Sequence, residues 1–289
     1  MPLAAGNLLL DAYQNHYAVP ALSVHSLDMV EAVIEAADTS NSPVLLQIGQ
    51  RAIRNGQMQS LADHIVKTAA NYKIPVGIHL DHCRTYPQVV EALYAGFTSC
   101  MMDASALPFE DNVALTQKAV ETCHAVGVPV EGELGAIGGV EDDISVADEE
   151  VVYTSVEAAV AFVERTQVDS LAVAIGSAHG MYKRAPKLDL QRLQHIYEQT
   201  DVPLVLHGGS GIPKEQIQAS LKYGIAKINF DTELRLAFVS GLSEGSRQFP
   251  DDPFSMMQFA RERLKEMVYE KISYCRLEEV TNGGALQRS

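Results

Sequence analysis

Short apolar runs rich in β-branched residues alternate along this chain with longer stretches whose apolar residues recur at helical spacing. Between the runs lie amphipathic segments such as LDMVEAVIEAAD and VEAAVAFVERT. The pattern predicts a βα unit repeated through the chain. The predicted strands lie at residues 17–24, 43–48, 75–81, 99–105, 129–135, 170–176, 203–209 and 227–232.

The composition of these strands indicates how they are arranged. Most are apolar on both faces, so both faces must be covered, which is typical of parallel sheets. Several have Pro just inside their start, where the missing N–H costs no ladder bond. This number of βα repeats favours closure into a (β/α)8 TIM barrel, with an open doubly wound sheet as the alternative. Extra C-terminal helices are predicted from residue 233 onward, and we expect residues 1–289 to form one domain.

Composition and charge narrow the classes of function. The chain has 289 residues, 47% hydrophobic and 20% charged, as in globular proteins with a sizeable core. Its formal net charge of -15 argues against binding to nucleic acid or to an anionic membrane, because both need a positive face. No stretch approaches the roughly 20 apolar residues of a membrane span, and we expect no signal peptide.

The cysteines show neither CxxC spacing nor the density of a small disulfide scaffold. We therefore expect reduced thiols in a cytoplasmic protein. They are Cys83, Cys100, Cys123 and Cys275.

Polar residues are concentrated where the predicted strands end, which is where a barrel carries its chemistry. In IHLDH the alternation of a strand places His79 and Asp81 on one face, and His82 follows at the turn. GSAHG, after the sixth strand, adds His179, and VLHGGSG, at the seventh, adds His207. Three imidazoles from three strand ends can converge and leave coordination positions open, which is typical of catalytic Zn²⁺.

A single histidine on an apolar strand is more often a hydrogen-bonded core residue than a metal ligand. Three at equivalent positions, with carboxylates between them, favour the metal site. The carboxylates are Asp103 in MMDAS and the pair Glu131 and Glu133 in VEGELG. The remaining histidines are interpreted as structural or solvated: His16, His25, His64, His124 and His195.

Two glycine-rich turns indicate an anion site. HGGSGIPKEQI passes from the seventh strand into a helix, and KINFDTELR does so from the eighth. Small residues let backbone N–H groups approach an anion at the positive end of a helix. Each turn alone is better explained as a helix cap, but both beside a three-histidine site predict a phosphate subsite.

The stretch after the fifth strand, GAIGGVEDDISVADEE, is long, glycine-rich and acidic. Most of its acids are interpreted as solvated in a flexible loop. Gly138 and Gly139 beside Glu141 are nevertheless what a mobile lid needs to bring one carboxylate over a closed site.

These motifs together resemble a known family. HLDH, EGELGAIGGVEDD, SLAVAIGSAHGMYK, VPLVLHGGSGIP and KINFDTEL are similar to motifs of the class II, zinc-dependent ketose-bisphosphate aldolases, which are (β/α)8 barrels. The resemblance runs from about residue 7 to about residue 275. Within the family, GGVEDDISV and the GSAHGMYK region resemble the tagatose-1,6-bisphosphate branch more than the fructose branch, where Val usually stands in place of Ala178.

The resemblance implies a metal site. Zn²⁺ would be held by His82, His179 and His207. Asp103 and Glu133 would correspond to a second or alternative metal position found in some members. Whether a monovalent cation also binds is left open.

The resemblance also implies roles around the substrate. Asp81 would protonate or deprotonate the C4 hydroxyl, and Glu141 on the lid would exchange the C1 proton of the enediolate. Asn229 is counted among both the catalytic and the substrate-binding residues. The dihydroxyacetone phosphate moiety would be held by Gly180, Gly208, Gly209, Ser210, Asn229, Phe230, Asp231 and Thr232.

No Schiff-base lysine is expected, because a Lewis acid would stabilise the enediolate charge. Lys227, at the start of the eighth strand, is expected at the opposite end from the chemistry. Two residues depart from the family pattern: Ser23 stands where Asn is common, and Cys83 where many members have Gly. We expect these two residues to leave the zinc chemistry unaffected but to influence which sugar phosphate the site accepts.

The sequence therefore predicts reversible, zinc-dependent aldol cleavage of a ketose 1,6-bisphosphate to dihydroxyacetone phosphate and glyceraldehyde 3-phosphate. We expect D-tagatose 1,6-bisphosphate to be the substrate. The alternatives are fructose 1,6-bisphosphate or another ketose 1-phosphate, and a catalytically silent sugar-phosphate-binding subunit. The resemblance further implies a homodimer or homotetramer, with a companion subunit in the tagatose branch.

Overall fold

The structure is a computed structural model that describes residues 8–141, 144–146, 152–180, 182 and 186–277, with only the backbone for 138–141 and 144–146. The strands are β1 Val19–Ser23, β2 Val44–Ile48, β3 Val76–Cys83, β4 Ser99–Met102, β5 Val130–Leu134, β6 Gly138–Glu141, β7 Ile144–Val146, β8 Ser170–Val173, β9 Ala178–His179, β10 Leu204–Leu206 and β11 Ile225–Phe230. The helices are α1 Leu8–Gln14, α2 Leu27–Thr39, α3 Gln50–Arg54, α4 Met58–Ala69, α5 Tyr86–Tyr94, α6 Phe109–His124, α7 Val156–Thr166, α8 Leu190–Gln199, α9 Lys214–Leu221, α10 Thr232–Gln248 and α11 Pro253–Tyr274.

Parallel strands close into a barrel in the order β1-β11-β10-β8-β5-β4-β3-β2. Each of them overlaps one predicted strand, so the (β/α)8 barrel is confirmed and the open sheet is excluded. The predicted C-terminal helices are also present: α10 and α11 pack against each other, and α11 covers α2. No helix in the described ranges is both long enough and apolar enough to cross a membrane.

The barrel interior changes character along its axis. Outward-facing residues such as Ile78 and Leu80 pack with the helices in the main core. Inside the barrel, Val19, Leu45 and Ala226 form a small apolar cluster that α1 closes with Ala12. The polar side chains of the candidate site lie beyond this cluster, toward the C-terminal end of the barrel.

The stretch predicted to be an irregular loop after the fifth strand forms a β-hairpin in its described part. β6 and β7 pair antiparallel, and β6 also pairs parallel with β9, so that Gly139 lies opposite His179. The β-branched residues of this stretch favour strands, which the acidic composition masked. The predicted sixth strand, 170–176, is shorter in the structure: β8 ends at Val173, and the short β9 lies beyond the predicted end.

The four cysteines are buried, and each is a free thiol in the structure. Burial raises the pKa of the Cys83 thiol to about 11, so this thiol stays protonated near neutral pH. Cys83 is therefore a small packing residue beside the site.

Thr154 joins the ends of two barrel strands. Its buried hydroxyl donates to Leu134 O and accepts from Ala174 N at 2.8 Å. Thr154→Val keeps the shape but leaves both backbone groups unsatisfied, so we expect a loss of about 1–3 kcal/mol in the free energy of unfolding. The exposed Thr39→Val, which removes one hydroxyl bond to Glu35 O, should change it by no more than about 0.5 kcal/mol. Urea unfolding measures both, and equal effects would contradict the prediction.

Candidate active site

A local break in β3 brings two consecutive residues into the barrel. His82 has φ of 47°, in the left-handed region, and the register with β4 shifts between Leu80 and Cys83. Consecutive residues of a regular strand point to opposite faces, but here Asp81 and His82 are both buried among interior groups. His82 was predicted at a turn after the strand; it lies within the strand, at a strained position of the kind found at functional sites.

The three predicted histidines come together at the C-terminal mouth of the barrel. His82 Nε2 lies 3.1 Å from His207 Nδ1. The ring centroids of His82 and His179 are 5.1 Å apart, and those of His179 and His207 are 6.0 Å apart. One ligand atom from each ring lies within 4.8 Å of the others. The rings thus surround a single point from three sides.

Carboxylates surround this group. Asp103 Oδ2 lies 2.9 Å from His82 Nδ1, and Glu133 Oε2 lies 3.7 Å from His207 Nδ1. Burial alone would lower the pKa of His82, but the charges of Asp81, Asp103 and Glu133 hold it well above its ordinary value. The same negative charge attracts a divalent cation.

An oxygen of Glu133 left unsatisfied by the described residues also indicates a cation at this position. Burial and the neighbouring Asp103 charge hold the pKa of Glu133 well above its ordinary value. Its Oε2 is buried and has no hydrogen-bond partner among the described residues. An orphaned carboxyl oxygen beside three imidazole nitrogens fits a metal ion, and Glu133 with Asp103 and His82 forms a second possible ligand group.

Asp81 is held by two amides that face its Oδ1. Gln47 Nε2 donates to it at 2.8 Å and Asn229 Nδ2 at 3.3 Å. Gln50 Nε2 donates to the Asp81 backbone oxygen at 3.1 Å. Sequence reasoning missed both glutamines, although Gln47 shows the signal used for the other site residues: a polar side chain at the C-terminal end of an apolar strand.

The prediction that Lys227 lies at the opposite end of the barrel from the active site is wrong for its side chain. Its backbone is near the start of β11, opposite Val19 of β1. Its side chain extends up the barrel axis, so that Nζ lies 2.8 Å from Glu131 Oε2 and 3.2 Å from His79 Nε2. Glu131 Oε1 in turn lies 2.8 Å from His207 Nε2. The length of the lysine side chain brings its charge beneath the three-histidine group.

The glycine turn after β10 requires glycine. Gly208 has φ of 65°, and a Cβ there would lie 2.2 Å from Ala178 O. Tyr182 joins the same segments, because its hydroxyl donates to Gly208 O and accepts from Ala178 N, each at 2.8 Å. Burial raises the pKa of Tyr182 to about 12, so it keeps that proton. The turn is therefore fixed against β9, next to His179.

The predicted phosphate residues lie together at the start of α10. Thr232 is its first residue and Asp231 its N-cap, and Ser210 Oγ accepts from Glu233 N at 3.4 Å. The Asp231 carboxylate, which would repel an anion, forms an ion pair with Arg235, whose Nε lies 3.5 Å from its Oδ2, and His25 Nε2 lies 2.7 Å from its Oδ1. His25, which was interpreted from the sequence as structural or solvated, thus borders this subsite.

Four other predicted site residues have different surroundings. The N–H of Gly209 donates to Asn229 O at 2.9 Å, so it is already used within the protein. The Phe230 side chain packs in the hydrophobic core, which leaves only its backbone to the site. The backbone of Glu141 ends β6, and its side chain lies outside the described part of the structure. Gly180 directly follows His179 at the mouth.

The chain is similar to aldolases over nearly its whole length. The profile of the family Fructose-bisphosphate aldolase class-II matches residues 4–279. The sulfofructosephosphate aldolase of Alkalicoccus urumqiensis is 38% identical over 272 residues, which are 93% of this chain and 95% of that protein. The crystal structure of the YdjI aldolase from Escherichia coli K12 is 36% identical, with a TM-score of 0.84, and the match covers 94% of this chain and 97% of that one. Fructose-bisphosphate aldolase from Campylobacter jejuni, 24% identical with a TM-score of 0.79 over 94% of this chain and 95% of its own, shares the fold.

The geometry predicts that the three histidines act as one metal site. Replacing His82, His179 or His207 singly with Ala should abolish stoichiometric zinc binding, because catalytic zinc is held by three protein ligands and each variant removes one. The control is His124→Ala, which removes a half-exposed histidine that lies 2.8 Å from Asp169. Zinc content after gel filtration measures the effect. Retention of one zinc per chain by any of the three variants would contradict the assignment.

Proposed function

This chain belongs to the class II fructose-bisphosphate aldolase family, and we propose that it catalyses the reversible aldol cleavage of a phosphorylated ketose to dihydroxyacetone phosphate and an aldehyde. Class II aldolases are zinc-dependent. The observation that carries the proposal is the group of three buried histidines directly beside a buried aspartate held by two amides.

We assign zinc to His82, His179 and His207. When bound, Zn²⁺ supplies a Lewis acid that stabilises the negative charge developing at C2 as the C3–C4 bond breaks. The donor set supports this assignment, since each ring presents a nitrogen to the same point and carboxyl groups of Asp103 and Glu133 lie alongside.

Asp81 is assigned as the acid and base at the C4 hydroxyl. Gln47 and Asn229 hold its Oδ1, so the orientation of the carboxylate is fixed before substrate binds. In cleavage it would accept the hydroxyl proton, and in condensation it would return it. The buried Oδ1 of Asn229 has no hydrogen-bond partner among the described residues, which supports a contact between this side chain and a substrate hydroxyl.

The 1-phosphate is assigned to the turns after β10 and β11, with Ser210, Asp231 and Thr232 around the N-terminus of α10. The helix dipole and the backbone N–H groups there favour an anion. Glu141 on β6 is assigned as the group that exchanges the C1 proton of the enediolate. The pairing of β6 with the strand that carries His179 supports this role.

The identity of the physiological ketose is a separate part of the proposal. We propose D-tagatose 1,6-bisphosphate, on the GGVEDDISV and GSAHGMYK motifs. Fructose 1,6-bisphosphate remains the alternative, and the name of the Alkalicoccus relative adds sulfofructose phosphate as a third candidate.

The function is tested by product identification with zinc-loaded protein and these three ketose phosphates. We expect dihydroxyacetone phosphate from at least one, fastest from the tagatose ester, loss of turnover with EDTA and its return with zinc. Equal rates on the tagatose and fructose esters would refute the tagatose assignment. Turnover that survives EDTA would refute the zinc aldolase, and no cleavage of any of the three would refute all three proposed substrates.

Asp81→Asn tests the acid and base assignment in the same assay. It should keep its zinc and lose about 10²–10⁴-fold in cleavage rate, because the amide cannot accept the proton. Asp252→Asn is the matched control: Asp252 is an exposed N-cap of α11, and Asn caps a helix equally well. If Asp81→Asn loses its zinc, Asp81 has been assigned the wrong role.

A further inference from the structure

Lys227 is a fully buried lysine to which the proposed reaction assigns no step. Its charge lies inside the barrel, in a layer formed by Glu131 of β5 and His79 of β3. Burying an ammonium group is costly unless it is paired and hydrogen-bonded. The Lys227–Glu131 pair lies deep in the barrel, and Glu131 also contacts His207. This position indicates a role beyond packing.

The contacts form a chain from Lys227 to His207. Lys227 Nζ donates to Glu131 Oε2 at 2.8 Å, and Glu131 Oε1 lies 2.8 Å from His207 Nε2. A carboxylate paired with an ammonium group only accepts hydrogen bonds, so His207 Nε2 is the donor. The lone pair of His207 is then on Nδ1, the atom that faces His82 Nε2 at 3.1 Å.

Lys227 balances the charge of Glu131. Glu131 is 1% exposed, and among the described residues Lys227 is the one Lys or Arg that forms an ion pair with it. The other neighbour of Lys227 is His79, whose Nδ1 lies 2.8 Å from Ser99 Oγ. Burial and the Lys227 charge hold the pKa of His79 well below its ordinary value, so His79 is neutral and accepts from Nζ.

We propose that Lys227 is a positioning residue of the metal site: by holding the Glu131 carboxylate, it fixes which nitrogen of His207 faces the metal and in what orientation. This inference rests on the proposed zinc site. It assigns Lys227 no contact with substrate, so its effect is expected in the metal site itself.

The test compares zinc affinity and metal geometry in Lys227→Met, which keeps the length of the side chain and removes its charge. Zinc dissociation constants come from competition with a chromophoric chelator, and the visible spectrum of the Co²⁺-substituted protein reports the arrangement of its ligands. We expect zinc affinity to fall by about tenfold, at the low end for residues that orient a ligand, and the Co²⁺ bands to shift.

A double-mutant cycle tests whether Lys227 acts on the metal site through Glu131. Glu131→Gln alone should weaken zinc binding, and adding Lys227→Met to it should cost less than about a further twofold, because Lys227 has then lost the carboxylate through which it acts. If Lys227→Met does not fold, the neutral pair Glu131→Gln/Lys227→Met leaves no unpaired buried charge and is compared with Glu131→Gln. A further tenfold loss in that comparison would overturn the proposal.

Lys271→Met is the matched control. Lys271 is also buried, at 2% exposure, and its Nζ lies 2.8 Å from Glu233. It should lower thermal stability and leave zinc affinity and the Co²⁺ spectrum unchanged. If the wild type binds zinc and Lys227→Met binds it equally well with an unchanged spectrum, Lys227 is only structural and the inference fails alone. A wild type that binds no zinc overturns the proposed function and this inference with it.

Discussion

Burial of negative charge around three imidazole rings is the constraint on which this site depends. Asp103 is balanced by His82, and Glu131 is balanced by Lys227 and also accepts a hydrogen bond from His207. Glu133 is left with an oxygen that no described residue satisfies. Buried charges are tolerated only when paired, and a divalent cation among the three rings would complete the balance. Both the three imidazole rings and the carboxylates around them are therefore arranged to bind a metal ion.

The barrel makes this arrangement possible by separating stability from chemistry. Its N-terminal interior contains an apolar cluster under α1, and its outer face packs in the core shared with the helices. The C-terminal end can then hold polar groups from several different strands. Two local backbone features complete it: the left-handed φ of His82, which turns adjacent residues of β3 inward, and Gly208, whose missing Cβ lets its turn lie against β9.

Much of the fold and of the candidate site could be predicted from the sequence, because strands and helices have periodic patterns and the site residues lie at strand ends. Apolar runs located each barrel strand, and polar residues at strand ends located His82, His179 and His207. Alternation could not show the break in β3, since a bulge changes which face each residue uses. Nor could it place Lys227, because position along a strand fixes the backbone and not the reach of a four-carbon side chain. The β6–β7 hairpin was missed because acidic residues obscured its β-branched pattern.

The central claim, that three histidines far apart in sequence bind one catalytic zinc, is tested most directly by anomalous diffraction at the zinc absorption edge from crystals of protein that was never exposed to chelator. The account predicts one strong anomalous peak between the His82, His179 and His207 rings, in contact with His82 Nε2 and His207 Nδ1. Zinc-replete crystals with no peak there, or with the rings directed away from one another, would contradict it.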